Sequence, residues 1–139
     1  MRLFWDTNIF IYYLEQYGNL TRLVFELRAR MIARNAILVT STFGLGELLV
    51  KPLKADPARA ARYREFVLST AEVWEFGLAA TDTYARIRAE TNVKAPDAIQ
   101  LACAAAASVD LFVTNDVRLL GQNIPGVPII ASLAAVPTW

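Results

Sequence analysis

Histidine occurs nowhere in the 139 residues, and cysteine occurs once, as Cys103. The first absence excludes Ser-His-Asp triads, Cys-His pairs and imidazole acid–base chemistry. Together the two absences exclude the usual zinc sites, which are built from His and Cys. A lone cysteine closes no internal disulfide. An excess of one charge is also missing: 14 basic residues against 13 acidic ones leave a formal net charge of +1. Any attraction for a polyanion must therefore come from a local patch. Apolar runs are short, and none reaches the ~20 residues that a membrane-spanning helix needs. The opening Met1-Arg2-Leu3-Phe4-Trp5-Asp6 meets charge too early for a signal peptide. The chain is expected in the cytoplasm, with no membrane association. Enzymatic chemistry in such a composition falls mainly on carboxylates. Carboxylates without imidazole suit hard cations such as Mg2+ or Mn2+.

What is present suffices for one packed domain spanning 1–139. Hydrophobic residues make up 55% and charged residues 19%, ample for a core at this length. Arginine outnumbers lysine eleven to three. Arg suits phosphate recognition, but its joint excess with Ala is attributed mainly to genome composition. Cys103 lies in an Ala-rich helical run and reads as a small core residue.

Hydrophobic periodicity divides the chain into alternating strands and helices. Leu3–Trp5 reads as a buried strand ending at Asp6, and residues 7–16 as a helix capped by Thr7 or Asn8. Leu20, Leu23, Val24, Leu27 and Met31 repeat at helical spacing, with Arg22, Glu26 and Arg30 opposite. Ile37–Thr40 is a second strand. Ser41 or Thr42 caps a helix to about Val50, where Lys51-Pro52 is expected to break it. Gly44 and Gly46, flanking Leu45, are poor helix formers within it. Asp56-Pro57 opens the next helix, with Tyr63, Phe66, Val67 and Thr70 on its core face. Val73–Phe76 is a weak strand. Thr81 caps a helix to about Thr91, and Pro96-Asp97 starts one to Ser108. Leu111–Thr114 is a strand, Asn115-Asp116 caps a short helical turn to Leu120, and Val127–Ile130 is the last strand. This alternation predicts an α/β class fold, an α/β/α sandwich with a mostly parallel central sheet.

Most of the 13 acids have a structural explanation. Glu26, Glu65 and Glu90 neighbour arginines at helix spacing, and Asp56 and Asp82 sit at expected helix starts. Glu15, Glu72, Glu75 and Asp110 fall at segment ends. Four acids differ. Asp6 ends the first strand and Asp116 follows the 111–115 stretch, at the carboxyl edge where ligands bind in parallel sheets. Glu47 lies about 8 Å up a helix starting from that edge, on a face with Phe43 and Val50. Asp97 lies in the first turn of a helix that starts at the same edge. Two carboxylates ~4 Å apart repel by about 4 kcal/mol at an effective dielectric of 20. A rim carrying four needs raised pKa values or a bound cation.

The chain resembles the PIN-domain family, in particular the VapC-type toxins of prokaryotic toxin–antitoxin pairs. The resemblance rests on the opening strand into Asp6-Thr7-Asn8 and on Ser41 followed by Gly46-Glu47-Leu48. It also rests on Pro96-Asp97-Ala98-Ile99-Gln100-Leu101-Ala102 and on Val113-Thr114-Asn115-Asp116. It implies Mg2+- or Mn2+-dependent endoribonuclease activity on RNA phosphodiesters, with Asp6, Glu47, Asp97 and Asp116 as the metal cluster. It also implies a homodimer and a protein antitoxin that blocks the site. In that scheme Asp6, Asp97 and Asp116 hold the metal, while Glu47 is a ligand or orients the attacking water. Thr7, Asn8, Thr114 and Asn115 are supporting candidates, as caps, hydrogen-bond donors or phosphate contacts. Lys94 and Arg118 flank two of the acids and are candidate RNA phosphate contacts.

Tyr12, Tyr13, Tyr17 and Phe25 suggest core packing or an antitoxin groove before base stacking. The helix over 42–50 is apolar nearly all round, so its outer side is a candidate dimer surface. Rival classes fit less well. A receiver domain needs an acidic pair after the first strand and a phosphoacceptor Asp after a middle strand, and neither is present. A haloacid-dehalogenase-like phosphatase needs an Asp where Asn8 stands. A non-catalytic binding module has no need of four unpaired acids. A housekeeping PIN-type nuclease without antitoxin is the nearest competitor.

Overall fold

The computed structural model describes residues 1–139. Five strands, β1 (Arg2–Trp5), β2 (Ile37–Ser41), β3 (Glu72–Trp74), β4 (Leu111–Val113) and β5 (Ile130–Ala131), form one sheet in the order β3-β2-β1-β4-β5. Every pairing is parallel. Six helices cover the sheet: α1 (Thr7–Leu14), α2 (Asn19–Ala33), α3 (Thr42–Ala55), α4 (Pro57–Thr70), α5 (Leu78–Glu90) and α6 (Ala95–Ala106). No helix is long and apolar enough to cross a membrane.

Strand alternation explains the sandwich. Successive side chains point to opposite faces, and the central strands separate accordingly. Leu3, Trp5, Leu38, Leu111 and Val113 join one core with Ile9 and Phe10 of α1, Val24, Leu27 and Met31 of α2, Leu48 of α3, and Tyr63 and Val67 of α4. Phe4, Val39 and Phe112 join the other, with Ile87 of α5 and Ala98, Leu101 and Cys103 of α6. Phe4 and Phe112 stack across β1 and β4 with centroids 4.9 Å apart. Covered on both faces, β1 has to be apolar without alternation, as Leu3-Phe4-Trp5 is. Each large side chain buried this way contributes roughly 1.5–3 kcal/mol. Burial pushes the Cys103 thiol up to about 11, which suits an unreactive core residue.

Several expected boundaries move. The helix α3 continues through Pro52 to Ala55. Pro52 is buried, and Asp56 N donates to Pro52 O at 2.7 Å, so helical bonding resumes after the missing N–H. The helix α5 starts at Leu78, not at a Thr81 cap. Thr81 Oγ1 instead donates to Leu78 O inside the first turn, and Asp82 is therefore interior to the helix. No helix follows Asp116. Arg118 N and Leu119 N both donate back to that one residue, at 3.0 Å each, and Gly121 at φ +83° turns the chain out. The third strand is Glu72–Trp74, and the last shrinks to Ile130–Ala131, beyond Pro128, which cannot donate to a ladder. The N-terminal aromatics pack on one another: Tyr13 against Phe25 and Phe66, and Tyr12 against Tyr17.

Candidate active site

The strand order reverses between β1 and β4: the chain leaves β1 towards β2 and later returns on the other side. Asp6 ends β1 and Asp116 follows β4, so both lie at the carboxyl edge of this switch point, where open parallel sheets bind ligands. Asp6 is also the N-cap of α1, its Oδ1 accepting from Thr7 N at 2.8 Å. Its Oδ2 accepts from Thr114 Oγ1 at 2.7 Å, and Gln100 Nε2 approaches Oδ1 at 3.5 Å. Asp6 is only 8% exposed and no cation pairs with it. Burial pushes its carboxyl above the ordinary value, and the charge of Asp116 pushes the same way, against hydrogen bonds from Thr114, Thr7 and Gln100.

Asp97 stands half-buried in the first turn of α6. Burial raises its pKa, and the charges of Asp6 and Asp116 add to the rise while Arg118 opposes it. The charge of Asp116 thus bears on both Asp6 and Asp97. Asp116 is relieved by Arg118, whose Nε and Nη2 grip its two oxygens at 2.9 and 2.6 Å. That hydrogen bonding lowers the pKa of Asp116. The same Nη2 lies 4.0 Å from Asp97 Oδ2.

Glu47 lies on α3 across a shared cavity, which is also lined by Asp6, Asn8 and Asp97. Unlike the expected acid on an apolar face, it is exposed, and so is Val50, at 47%. Only Leu48 and Pro52 of this helix turn fully inward beside Gly44. Thr114 is buried and ties two acids together, donating to Asp6 and accepting from Asp116 N at 3.0 Å. Thr7 Oγ1 accepts from Gln100 Nε2 at 3.2 Å. Asn8 Oδ1 is buried with no partner. Asn115 Oδ1 accepts from Leu133 N at 2.8 Å. The Arg118 guanidinium is engaged by Asp116, with its side chain still largely exposed to solvent. Lys94 is exposed and has no ion-pair partner.

Gln100 is the residue that pattern reading missed. It is 3% exposed, accepts from Ser41 Oγ and donates towards Thr7 and Asp6. Ser41 Oγ in turn caps α3 by accepting from Gly44 N at 2.9 Å. A Cβ on Gly44 would stand 2.7 Å from Gln100 Nε2. The glycine that disfavours helix is therefore where α3 must let Gln100 approach, and it was the available signal.

The donors present fit a hard divalent cation. They are carboxylate oxygens and the orphaned Asn8 oxygen, two of the carboxyls carry raised pKa values, and no nitrogen or sulfur ligand competes. The expected closed four-acid cluster is not formed, however. No three acidic side chains stand close enough to hold one ion, because Arg118 draws Asp116 to itself and Glu47 stays at the solvent margin.

Comparison with known proteins agrees with this architecture. The PIN domain family model matches residues 3–121, and the chain belongs to that family. Among solved structures, VapBC2 from Rickettsia felis bound to a promoter DNA fragment superposes with a TM-score of 0.76 at 21% identity, covering 95% of this chain and 98% of that one. A toxin–antitoxin complex from Klebsiella pneumoniae gives 0.65 at 27% identity, with 90% and 94% covered. The sarcin–ricin-loop-cleaving toxin VapC20 of Mycobacterium tuberculosis gives 0.61 at 13% identity, with 79% and 86% covered. No curated protein matches the chain significantly.

Proposed function

We propose that the chain is a divalent-metal-dependent endoribonuclease, the toxin of a toxin–antitoxin pair. The observation that carries this reading is the placement of Asp6, Asp97 and Asp116, from three separate elements, around one sheet switch point, where the charge of Asp116 bears on Asp6 and those of Asp6 and Asp116 bear on Asp97. PIN nucleases generally use divalent metals, and several fold neighbours are toxin–antitoxin complexes. Both facts support the same assignment.

In this reading Asp6, Asp97, Asp116 and Glu47 hold Mg2+ or Mn2+, directly or through water. A divalent ion held there would supply charge neutralisation at the scissile phosphate and would activate water near neutral pH. The chain's own residues set the stage for that chemistry. Thr114, Thr7 N and Gln100 fix Asp6 from three directions, so its carboxylate costs no reorganisation on binding. Glu47, unpaired and exposed, is free to orient the attacking water. Arg118 now holds both oxygens of Asp116, and its guanidinium would be available to a phosphate if an ion took over that carboxylate. An antitoxin covering this cavity and a second copy of the chain complete the assembly.

The test is thermal unfolding with and without ion, alongside RNA cleavage. Mn2+ or Mg2+ at ~100 times its Kd should stabilise the fold by about 2.7 kcal/mol. Asp6→Asn should abolish that shift and lower cleavage at least ~100-fold. If neither ion moves the melting temperature and no RNA is cut, the reading fails. A small reading frame adjoining the gene, encoding a protein that binds the chain and blocks cleavage, supports the toxin assignment. Its absence favours a housekeeping nuclease.

A further inference from the structure

We infer that the turn joining α5 to α6 is a nucleotide subsite, seating the base and phosphate of the ribonucleotide next to the scissile bond; this rests on the nuclease reading. A cavity of about 200 Å³ opens there, sharing the Asp97 side chain with the acid-lined cavity. Drug-sized ligands occupy roughly 300–1,000 Å³, so this space suits one small planar group. Its floor is apolar, formed by Val93 and Leu119, which are 6% and 1% exposed. Its walls carry the amides of Asn92 and Gln122 and the cations of Lys94 and Arg118.

The hydrogen-bonding capacity of these walls is largely unspent. The Asn92 amide engages no other group, although Thr91 and Val93 beside it are bonded. Gln122 makes only a long 3.5 Å contact from Nε2 to Arg118 O. Lys94 has no carboxylate within ion-pair distance. A recess with an apolar floor edged by free amides can receive an unstacked base and hydrogen-bond its edge. The adjoining ammonium matches the phosphate that comes with it.

The path continues past this cavity. Asn92, Val93 and Lys94 also line a second depression that reaches Arg88 and Thr91. From the acids outward the surface therefore changes from carboxylates to Lys94 and then to Arg88. A single strand could place its reacting phosphate at the acids and its next phosphates on these cations, an arrangement typical of single-strand grooves.

Three variants test the subsite. The paired change Asn92→Ala/Gln122→Ala should raise KM for single-stranded RNA roughly tenfold, leave kcat within about twofold, and flatten the cleavage-sequence preference. Lys94→Gln should reduce the slope of log(kcat/KM) against log salt by ~0.7, the share of one single-strand phosphate contact, and Lys94→Arg should restore it. Unchanged KM, preference and salt slope in an active enzyme overturn the subsite while the nuclease reading stands. Binding is read separately, by amide NMR with a short mixed-sequence RNA oligonucleotide in EDTA. Shifts confined to residues 92–94 and 118–122 sustain the subsite even if wild-type protein cuts no RNA, a result that sinks only the nuclease reading. No shift there overturns it.

Discussion

At the amino end of β1 every guanidinium nitrogen of Arg2 is hydrogen-bonded. Its guanidinium donates to both oxygens of Glu72, at 2.8 and 3.1 Å, and to Ala107 O at 2.9 Å, while its backbone N–H takes Asp110. Glu72 is drawn down to about 2 by hydrogen bonds from Arg2 and Trp74. At the carboxyl end of the same strand, Asp6 is more deeply buried, meets no cation, and faces the charge of Asp116. One end of the strand has matched its charges, and the other holds like charges together under cover of protein. Matched charges contribute little net stability at a surface. Unmatched buried ones oppose folding, so the two ends of β1 should respond to mutation in opposite senses.

Three perturbations sharpen that contrast. Gly44→Ala should have the largest effect, destabilising by about 1–3 kcal/mol, because the new Cβ drives Gln100 off Ser41, Thr7 and Asp6. Denaturant melts measure it, and Gly44→Ala combined with Gln100→Ser should cost less than the sum of the two changes. Full additivity would mean that Gln100 is not the point of contact.

Asp6→Asn comes next, with the opposite sign. Folded Asp6 and Asp97 have pKa values above the ordinary 3.8, so the folded chain retains protons that the unfolded chain has released. Stability in EDTA therefore falls as pH rises from the ordinary value through the raised ones. Asp116 and Glu72, with lowered values, contribute in the other sense: their stabilisation is present above the ordinary values and lost as pH falls through the lowered ones. Thermal melts in EDTA at neutral pH should show Asp6→Asn higher than wild type by on the order of a few degrees, with a flatter decline towards high pH. A lower melting temperature would remove the distinction between the two ends. Arg2→Met should be the smallest effect, under ~1 kcal/mol and shrinking with added salt, with RNA cleavage unchanged. A large loss there would show the paired end to be as consequential as the unpaired one.

The sheet was legible in the chain because its central strands are short apolar runs whose neighbours are helical, and that alternation also puts strand ends and helix starts on one edge. Asp6, Asp97 and Asp116 were readable for this reason alone. Glu47 was harder, because the rotation of α3 about its axis depends on Pro52, Leu48 and the contact at Gly44, none of which local spacing encodes. Gln100 was hidden in an apolar helical motif. Its partners lie 59, 93 and 94 residues away, and only the assembled sheet brings them within reach. The segment after Asp116 reads as helical by capping residues, yet its first amides turn back to Asp116 itself and the helix never propagates.

The final stretch of chain is stitched to the residues just ahead of Asp116. Thr114 N donates to Ala131 O, and Asn115 Oδ1 takes the N–H of Leu133. The loop carrying Asp116 is thereby anchored from a segment far along the backbone, so fraying of residues 131–133 would slacken one margin of the acidic cleft without touching any of its acids.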